Sequence, residues 1–265
     1  MSDCAGPIED FRTIDINVGG RTIALPDLPE YRKFYEKLGS GLWEPHTFET
    51  LSRYLDRDTV LIDIGAWIGV TPFFGAEIAK SVVAVDPDPK CIAILRRLAK
   101  DRDNVVVLAG ALSNEPSVSI HAVEGFGSSE TSVLDIGDGE CVGTRGLRLE
   151  DIIEQTAGAP AFVKIDIEGY EFLIGDELAR LADFPVKAVQ LAVHPRLFEK
   201  TLSDDPISRR VKAAWATWKL ARRFREHFSG PRLVKYPGLA TYIFFGIVFR
   251  ATPRGADLLF EQRVR

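Results

Sequence analysis

One strand–turn–helix–strand pattern early in the chain constrains the fold more than any other feature of the sequence. It begins with Thr59–Ile64, a short apolar run rich in β-branched residues, which is typical of a strand buried on both faces. Gly65 and Gly69 interrupt this run and allow a sharp turn and a close approach of the backbone to a ligand. A helix over Ile68–Lys80 and a strand over Ser81–Asp86 complete one unit of a nucleotide-binding α/β fold.

Strands and helices continue to alternate after this unit, which predicts a mostly parallel sheet with helices on both faces. The predicted helices are Pro29–Leu38, Thr47–Leu55, Lys90–Lys100, Leu149–Gln155, Tyr170–Ala182 and Ile207–Phe228. The predicted strands are Val105–Leu108, Ser117–His121, Thr131–Leu134, Phe162–Ile167, Val186–Val193 and a terminal antiparallel pair, Thr241–Phe249 with Asp257–Gln262.

The N-terminal region is predicted to be an addition to this fold. Residues 1–10 have the composition of a loose tail. Two short runs, Phe11–Val18 and Arg21–Leu25, are joined by Gly19-Gly20 and predict a β-hairpin. We therefore expect an extension over residues 1–45, made of a hairpin and a helix, followed by one α/β domain over residues 46–265.

Charge is distributed unevenly along the chain. The net charge is −5 and the pI is about 5.5, so the composition does not indicate a nucleic-acid partner. Residues 206–235 carry nine basic side chains against one acidic one, which makes this segment +8 and leaves −13 elsewhere. Its helix is predicted to place one set of residues on an apolar face: Ile207, Val211, Ala214, Trp218, Ala221 and Phe228. The basic face is either solvated or in contact with an anionic membrane surface or a charged acceptor, such as a glycolipid or phosphorylated glycan.

Other features of the composition indicate a cytoplasmic protein. The three cysteines, Cys4, Cys91 and Cys141, form no C-x-x-C pair and predict neither a disulfide framework nor a zinc site. The first residues lack the apolar core of a signal peptide. The longest apolar run, Leu239–Phe249, is far shorter than the about 20 residues of a membrane-spanning helix.

Ligands of open parallel sheets bind at the carboxyl ends of the strands, and polar residues stand there in this sequence. The Gly65–Gly69 turn would present backbone N–H groups to a ligand, and Asp63 would bind a cationic amino group of that ligand directly or through water. Asp86 ends the second strand and would accept hydrogen bonds from ribose hydroxyls. The alternative is that Asp86 caps the next helix, a role equally open to Asp88.

A second polar cluster lies at the end of the fourth strand. Strand periodicity places Lys164, Asp166 and Glu168 on one face. Their burial is unfavourable unless they pair or hold a ligand, so the alternatives are a structural salt bridge and an active centre. In an active centre, Asp166 would lie opposite the reacting group, with Glu168 and Lys164 ordering a substrate hydroxyl. His194, at the end of the fifth strand, is either a general base or a structural residue.

Four motifs in order resemble the FkbM family of S-adenosylmethionine-dependent methyltransferases: Asp63–Gly69, Val85-Asp-Pro87, Ala111-Leu-Ser113 and Lys164-Ile-Asp-Ile-Glu-Gly-Tyr-Glu171. The resemblance implies a class I methyltransferase fold and O-methylation of a sugar, glycolipid or secondary metabolite. It also implies a cofactor site made of Asp63, Gly65, Ala66, Trp67, Gly69, Asp86, Pro87, Ala111, Leu112 and Asp166, with Asp166, Glu168, Lys164 and His194 at the active centre. The chain has Asp86 where the family more usually has glutamate.

The rivals of this interpretation are an NAD-dependent oxidoreductase and a non-catalytic nucleotide-binding protein. The first lacks support because the third glycine of the G-x-G-x-x-G pattern is missing. Spacing does not predict a metal site, although Asp166 and Glu168 offer the oxygen ligands that Mg²⁺ or Ca²⁺ would take as an alternative way to assist the reaction.

Overall fold

The computed structural model describes residues 11–122, 125–135, 137, 139–233 and 255–263. The α-helices are α1 Arg32–Gly39, α2 Pro45–Tyr54, α3 Val70–Ala76, α4 Pro89–Ala99, α5 Leu149–Glu154, α6 Gly175–Ala179, α7 Pro195–Lys200 and α8 Pro206–His227. The strands are β1 Thr13–Val18, β2 Arg21–Pro26, β3 Val60–Ile64, β4 Ser81–Asp86, β5 Val105–Ala109, β6 Ala111–Leu112, β7 Ser117–Ala122, β8 Thr131–Ser132, β9 Glu140–Leu147, β10 Ala161–Ile165, β11 Val186–Val193, β12 Phe228–Leu233 and β13 Ala256–Gln262.

The central sheet has seven strands in the order β12-β13-β11-β10-β3-β4-β5. Neighbouring strands from β11 to β5 are parallel, whereas β13 is antiparallel to both β11 and β12. The chain first runs from β3 outwards to β5 and then returns to place β10 on the other side of β3. This reversal creates a crevice at the carboxyl ends of β3 and β10, where ligands of doubly wound sheets bind. The sheet has the class I methyltransferase fold that the resemblance implied.

Both faces of the sheet are covered, because alternate residues of each strand point to opposite sides. Ile62 and Val163 belong to a core that α5, α6 and α8 cover. Leu61 and Phe162, one residue earlier, belong to the core beneath α2, α3 and the hairpin. All four side chains are fully buried, which explains the uninterrupted apolar runs of these strands.

The predicted N-terminal hairpin is present. β1 and β2 pair antiparallel around Gly19 and Gly20, which both have positive φ angles. Ile23 and Leu25 are fully buried in the same core as α3, so the hairpin packs directly on the nucleotide-binding unit. The division at residue 45 stays a prediction.

Several elements differ from the sequence-based expectation. α3 begins only after Gly69, because that residue has a φ of +97°. The helix expected over Tyr170–Ala182 is divided into two short 3-10 turns on either side of α6. The strand β9 and the helix α7 were not predicted, since glycines interrupt the first and the second has only one to two turns. Thr241–Phe249, the expected partner of the last strand, lies outside the described residues. Among the described residues, β13 pairs with β11 and β12.

The orientation of α8 also differs from the prediction. Its buried residues are Ala213, Thr217, Leu220, Ala221 and Phe224. Three members of the predicted apolar face, Ile207, Val211 and Trp218, are instead exposed to solvent. Apolar residues occur on two sides of this helix, so periodicity alone did not identify the side that packs on the sheet. No helix among the described residues is both long and apolar enough to cross a membrane.

We expect Phe224→Ala to lower the free energy of unfolding by about 3–5 kcal/mol, because Phe224 is fully buried against Phe228 and Phe260. The matched control Trp215→Ala, on the exposed side of α8, should change it by no more than about 0.5 kcal/mol. Chemical denaturation followed by circular dichroism measures both. Equal losses in the two variants would contradict the observed orientation of α8.

Candidate active site

The turn after β3 brings two strands into close contact at the switch point. Gly65 has a φ of +90°, and a Cβ at this position would lie 1.8 Å from the carbonyl oxygen of Asp166. Only glycine permits this approach. The N–H groups of Gly65 and Ala66 donate to the carbonyl of Val85, and that of Trp67 donates to the Asp86 carboxylate. The expectation that these N–H groups face a ligand is therefore wrong: they bind β4 and its terminal acid.

Asp63 lies behind the wall of the crevice rather than on it. Its carboxyl group is fully buried, accepts a hydrogen bond from the Thr71 hydroxyl and lies 3.6 Å from the Lys164 ammonium. Burial raises its pKa, although Lys164 and Thr71 oppose that shift. Gly69 also lies off the crevice, where it starts α3 against the ring of Phe73. Direct contact of either residue with a cofactor stays a prediction.

The two aspartates after β4 have different roles. Asp88 is the helix cap, since its Oδ1 accepts the N–H groups of Lys90 and Cys91 at 2.8 and 3.2 Å. Asp86 instead lines the crevice and accepts the N–H groups of Trp67 and Asp88 at 2.7 and 2.9 Å. Burial raises the pKa of Asp86 to about 8. The capping alternative therefore belongs to Asp88.

A loop over residues 125–131 forms one side of the same crevice. The second oxygen of Asp88 accepts the N–H of Gly127 at 2.6 Å and the hydroxyl of Thr131 at 3.0 Å. The carbonyl of Gly127 accepts hydrogen bonds from the Trp67 indole and the Tyr31 hydroxyl, both at 2.9 Å. These bonds hold the loop beside a cavity at the carboxyl ends of the central strands.

This cavity runs from the end of β4 to the end of β10. The predicted cofactor residues that line it are Gly65, Trp67, Asp86, Pro87, Ala111, Leu112 and Asp166. Ala66 lines the adjoining space beside Lys164. Sequence reasoning missed Asp88, Ser128, Thr131 and Tyr170, which also line it. The loop residues carry no motif, because their position depends on long-range bonds to Asp88.

Lys164 joins the two central strands at their carboxyl ends. It is almost completely buried, and its Nζ lies 3.1 Å from Asp166 Oδ2 and 3.6 Å from Asp63 Oδ1. Burial alone would lower the pKa of Lys164, but Asp166 and Asp63 outweigh this and raise it. Burial likewise pushes the pKa of Asp166 upwards, yet Lys164 and then His194 reverse the shift and lower it. The pair is therefore ionised, as the salt-bridge alternative required.

His194 lies between the carboxylates of the fourth strand end. Its Nε2 is 3.5 Å from Asp166 Oδ1 and 3.6 Å from Glu168 Oε2. Burial would lower its pKa, but Glu168, Glu171 and Asp166 raise it to about 10. Burial raises the pKa of Glu168 to about 8 despite the opposing effect of His194. All four residues expected at the active centre, including Lys164, therefore meet in one cluster.

Glu171 holds this cluster in place and was not assigned a role from the sequence. It is fully buried, and its two oxygens accept the backbone N–H of His194 at 2.7 Å and of Gly169 at 2.8 Å. One carboxylate thus ties the end of β11 to the turn that follows β10. Its place at the end of the Lys164–Glu171 motif was the available signal.

A second opening of the crevice lies on the far side of Asp166. It is bounded by Glu44, His46, His194, Ala192 and Asp257. Burial raises the pKa of Glu44 to about 7 and also raises that of Asp257, with Asp166 adding to both shifts. This side of the site is therefore rich in carboxyl groups that readily hold a proton.

A family model matches the central part of the chain. Residues 63–174 match the model described as the methyltransferase FkbM domain. The match agrees with the resemblance seen in the motifs, and it runs from the end of β3 through the turn that holds Glu171. A methyltransferase of this family implies S-adenosylmethionine as methyl donor. No curated protein matches the chain in sequence.

Solved structures resemble this chain only distantly. The Methanococcus jannaschii fibrillarin pre-rRNA processing protein has 13% identity and a TM-score of 0.46, with 99% of this chain and 86% of that chain covered. The putative methyltransferase SMU.1697c from Streptococcus mutans, in complex with SAH, has 14% identity and a TM-score of 0.43, with 82% and 95% covered. A putative hemolysin from Streptococcus thermophilus has 16% identity and a TM-score of 0.44, with 83% and 66% covered. These similarities are too distant to bear on the acceptor.

We expect Gly65→Ala to disrupt the packing of the turn after β3 against β10 and to lower the melting temperature, because the added Cβ would collide with the backbone of Asp166. Gly125→Ala is the matched control, since its φ of +86° is also positive but no atom lies within 4 Å of the added Cβ. The free energy of unfolding of the control should fall by only about 1–3 kcal/mol, the cost of backbone strain at a positive φ. Thermal unfolding of both variants tests this, and equal melting temperatures would contradict the close approach of β3 and β10.

We expect the ring of His194 to stay protonated well above its ordinary pKa of 6.5 in the ligand-free protein. Three carboxylates raise this pKa to about 10, so the charged ring should stabilise the fold fully below pH 6.5 and lose that effect as pH rises through about 10. NMR titration of the ring carbons measures the midpoint, and Glu168→Gln should lower it. A wild-type midpoint near 6.5 would show that the carboxylates do not act on the ring.

Proposed function

With an FkbM methyltransferase domain matched over residues 63–174, we propose that the chain transfers the methyl group of S-adenosylmethionine to a hydroxyl oxygen of a small-molecule or glycan acceptor. The observation that carries this proposal is one cavity with Asp86 at one end and Asp166 at the other, across the switch point of the sheet. An acid at each end suits a donor that has ribose hydroxyls at one end and a sulfonium cation at the other.

The donor would be held mainly by its hydroxyls and its positive charges. Asp86 keeps free lone pairs on both oxygens beyond the two N–H bonds that it accepts. Its short side chain is fixed by those bonds, which favours ribose binding despite the absence of the more usual glutamate. Ala111 and Leu112 offer an apolar surface beside Asp86 for the adenine ring.

The reaction is an in-line displacement, in which the acceptor oxygen forms a bond to the methyl carbon as the carbon–sulfur bond breaks. The products are the methyl ether and S-adenosylhomocysteine, and the hydroxyl proton must go to a base. We assign this proton to Glu168, whose pKa of about 8 makes it a stronger base than a free carboxylate. His194 holds its own proton at neutral pH and would therefore orient the carboxylates rather than serve as the base.

The acceptor would enter through the opening beside Glu44 and Asp257. Carboxyl groups there accept hydrogen bonds from hydroxyls, and an anionic group placed beside them would be repelled. A polyhydroxylated acceptor, such as a sugar, suits this surface. This assignment favours O-methylation over transfer to other atoms.

Calorimetric titration with S-adenosylhomocysteine and NADH separates this proposal from its rivals. We expect binding of S-adenosylhomocysteine and no binding of NADH. Binding of NADH alone would support the oxidoreductase alternative. Binding of S-adenosylhomocysteine without methyl transfer from labelled donor to any of a panel of sugars and glycolipids would support the non-catalytic one.

At pH 9, above the pKa of about 8 of Asp86, Asp86→Asn should weaken S-adenosylhomocysteine binding by about 1.5–3 kcal/mol, because it removes the charge from the hydrogen bonds to ribose while keeping the shape of the side chain. This corresponds to a dissociation constant raised about 10- to 150-fold. Asp101→Asn, at an exposed position after α4, is the control. An unchanged constant in Asp86→Asn would rule out the ribose role.

Asp166→Asn should lose at least about 100-fold in turnover while it still binds S-adenosylhomocysteine, because the acceptor would no longer be held opposite the methyl group. Its melting curve should show a folded protein, since the amide still accepts a hydrogen bond from Lys164. Wild-type turnover in a folded variant would show that Asp166 is not at the active centre.

A further inference from the structure

We propose that Asp166, Glu168 and His194 bind a divalent metal cation that holds the acceptor hydroxyl. The three residues each offer one ligand atom, and these atoms all lie within 4.8 Å of one another. The role of the cation in holding the acceptor rests on the proposed function, because that function places the acceptor beside these three residues. The binding of the ion itself can be tested without donor or acceptor.

The spacing of the three atoms suits a shared ion. Nε2 of His194 lies 3.5 Å from Asp166 Oδ1 and 3.6 Å from Glu168 Oε2, beyond the range of a good hydrogen bond. Adjacent ligands of an ion lie about 3.0 Å apart in an octahedral shell with bonds of about 2.1 Å, and about 3.4 Å apart in a tetrahedral one. Small side-chain rotations would close the remaining difference.

The ligand atom of Asp166 accepts no hydrogen bond from the described residues, and its one charged neighbour among them is His194 Nε2 at 3.5 Å. Lys164 takes the other oxygen, Oδ2, at 3.1 Å. Oδ1 is buried and accepts no hydrogen bond. A buried, unsatisfied carboxylate oxygen is unfavourable, and a bound cation would remove this deficit.

The backbone on both sides of the cluster is held rigidly, which favours a fixed ligand geometry. Glu171 anchors the N–H groups of His194 and Gly169. The carbonyl of Glu168 accepts the hydroxyl of Ser132 at 2.9 Å, and Glu168 itself has a φ of +50°. A glutamate in this left-handed conformation is strained, and such strain is frequent at functional sites.

Acidic side chains outnumber basic ones around the three proposed ligands. The buried or partly buried acids around the three ligands are Glu44, Asp63, Glu171 and Asp257. Lys164 is the one lysine among the described residues that line this part of the crevice. One nitrogen and two carboxylate ligands suit Mn²⁺ or another first-row cation better than Ca²⁺, which prefers oxygen alone.

A bound cation would lower the pKa of an acceptor hydroxyl that joins its open coordination positions. Binding of the ion would displace the proton of His194 Nε2 to solvent. The hydroxyl proton would then pass to the remaining oxygen of Glu168, and the methyl group to the resulting oxygen anion. No electron transfer is involved.

Manganese binding by the full-length, chelator-treated protein tests this inference. We expect isothermal titration calorimetry and Mn²⁺ electron paramagnetic resonance to show one ion per chain. His194→Ala and Glu168→Gln should each weaken binding at least about tenfold. His46→Ala is the matched control, because His46 lines the same crevice without joining the cluster and should leave the affinity unchanged.

If the wild type did not bind Mn²⁺, or if folded His194→Ala bound Mn²⁺ as tightly as the wild type, the inference would be overturned. The protonated ring of His194 would then be the cation of the cluster. S-adenosylhomocysteine is titrated into the same samples to separate the two proposals. Its binding without Mn²⁺ binding would reject the metal site alone. Mn²⁺ binding without S-adenosylhomocysteine binding would reject the proposed function and retain the metal site.

We also infer that the outer face of α8 binds an anionic lipid surface. Four apolar side chains are exposed on that face: Ile207 at 71%, Val211 at 52%, Trp215 at 61% and Trp218 at 37%. They follow one another at three- and four-residue steps, opposite the residues that pack on the sheet. The rings of Trp215 and Trp218 stack with centroids 4.6 Å apart.

Basic side chains complement this apolar face. Lys212, Lys219, Arg222 and Arg225 are exposed along it, and Arg222 lies over the ring of Trp218 at 5.4 Å. Tryptophan with arginine and lysine is the composition of helices that lie in the headgroup region of anionic membranes. The charge is local, because the chain as a whole is acidic.

Vesicle sedimentation at low salt tests this surface. We expect the full-length protein to sediment with vesicles of phosphatidylglycerol and phosphatidylcholine but not with phosphatidylcholine alone. Trp215→Ala and Arg222→Gln should each lower the bound fraction at least about threefold. Val106→Ala, an exposed apolar residue on β5, is the control. Equal sedimentation of all variants, or none of the wild type, would overturn the inference.

Discussion

The buried contact of Lys164 with Asp63 and Asp166 is the interaction on which the rest of this structure depends. It joins the carboxyl ends of β3 and β10, the two strands between which the chain reverses its direction across the sheet. Removal of Lys164 would leave two buried carboxyl groups without their shared cation, which is strongly unfavourable. The contact uses Oδ2 of Asp166 and leaves Oδ1 without a hydrogen bond, 3.5 Å from His194 Nε2. A structural ion pair and an active centre were alternatives in the sequence, and Lys164–Asp166 serves the first role while it sets up the second.

Much of the fold was predictable because its core strands are short, apolar and separated by glycine or proline. β3, β4, β10 and β11 were placed within about two residues, and the cofactor motifs fell at their carboxyl ends as expected. What failed depended on tertiary contacts. The N–H groups of Gly65 and Ala66 bind the carbonyl of Val85 in the neighbouring strand instead of facing a ligand. The face of α8 could not be chosen, since apolar residues lie on both of its sides.

The position of the candidate site was also more predictable than its composition. The Lys164–Glu171 motif indicated where the candidate active centre lies, because alternation of charged residues at the end of a buried strand is unusual. Glu171 itself, which fixes His194, had no interpretable signal beyond its membership of that motif. Glu44 and Asp257 come from the start of α2 and from β13, so only the folded chain brings them to Asp166.

The carboxyl groups at this sheet edge explain both the donor and the acceptor that we propose. A sulfonium donor, a hydroxyl acceptor and a metal cation each relieve the repulsion among buried acids, whereas an anionic ligand would increase it. The most direct measurement is a crystal structure of the protein with S-adenosylhomocysteine. The account predicts ribose hydroxyls bound to Asp86 and the sulfur directed towards Asp166. A ligand bound elsewhere, or with its ribose away from Asp86, would contradict it.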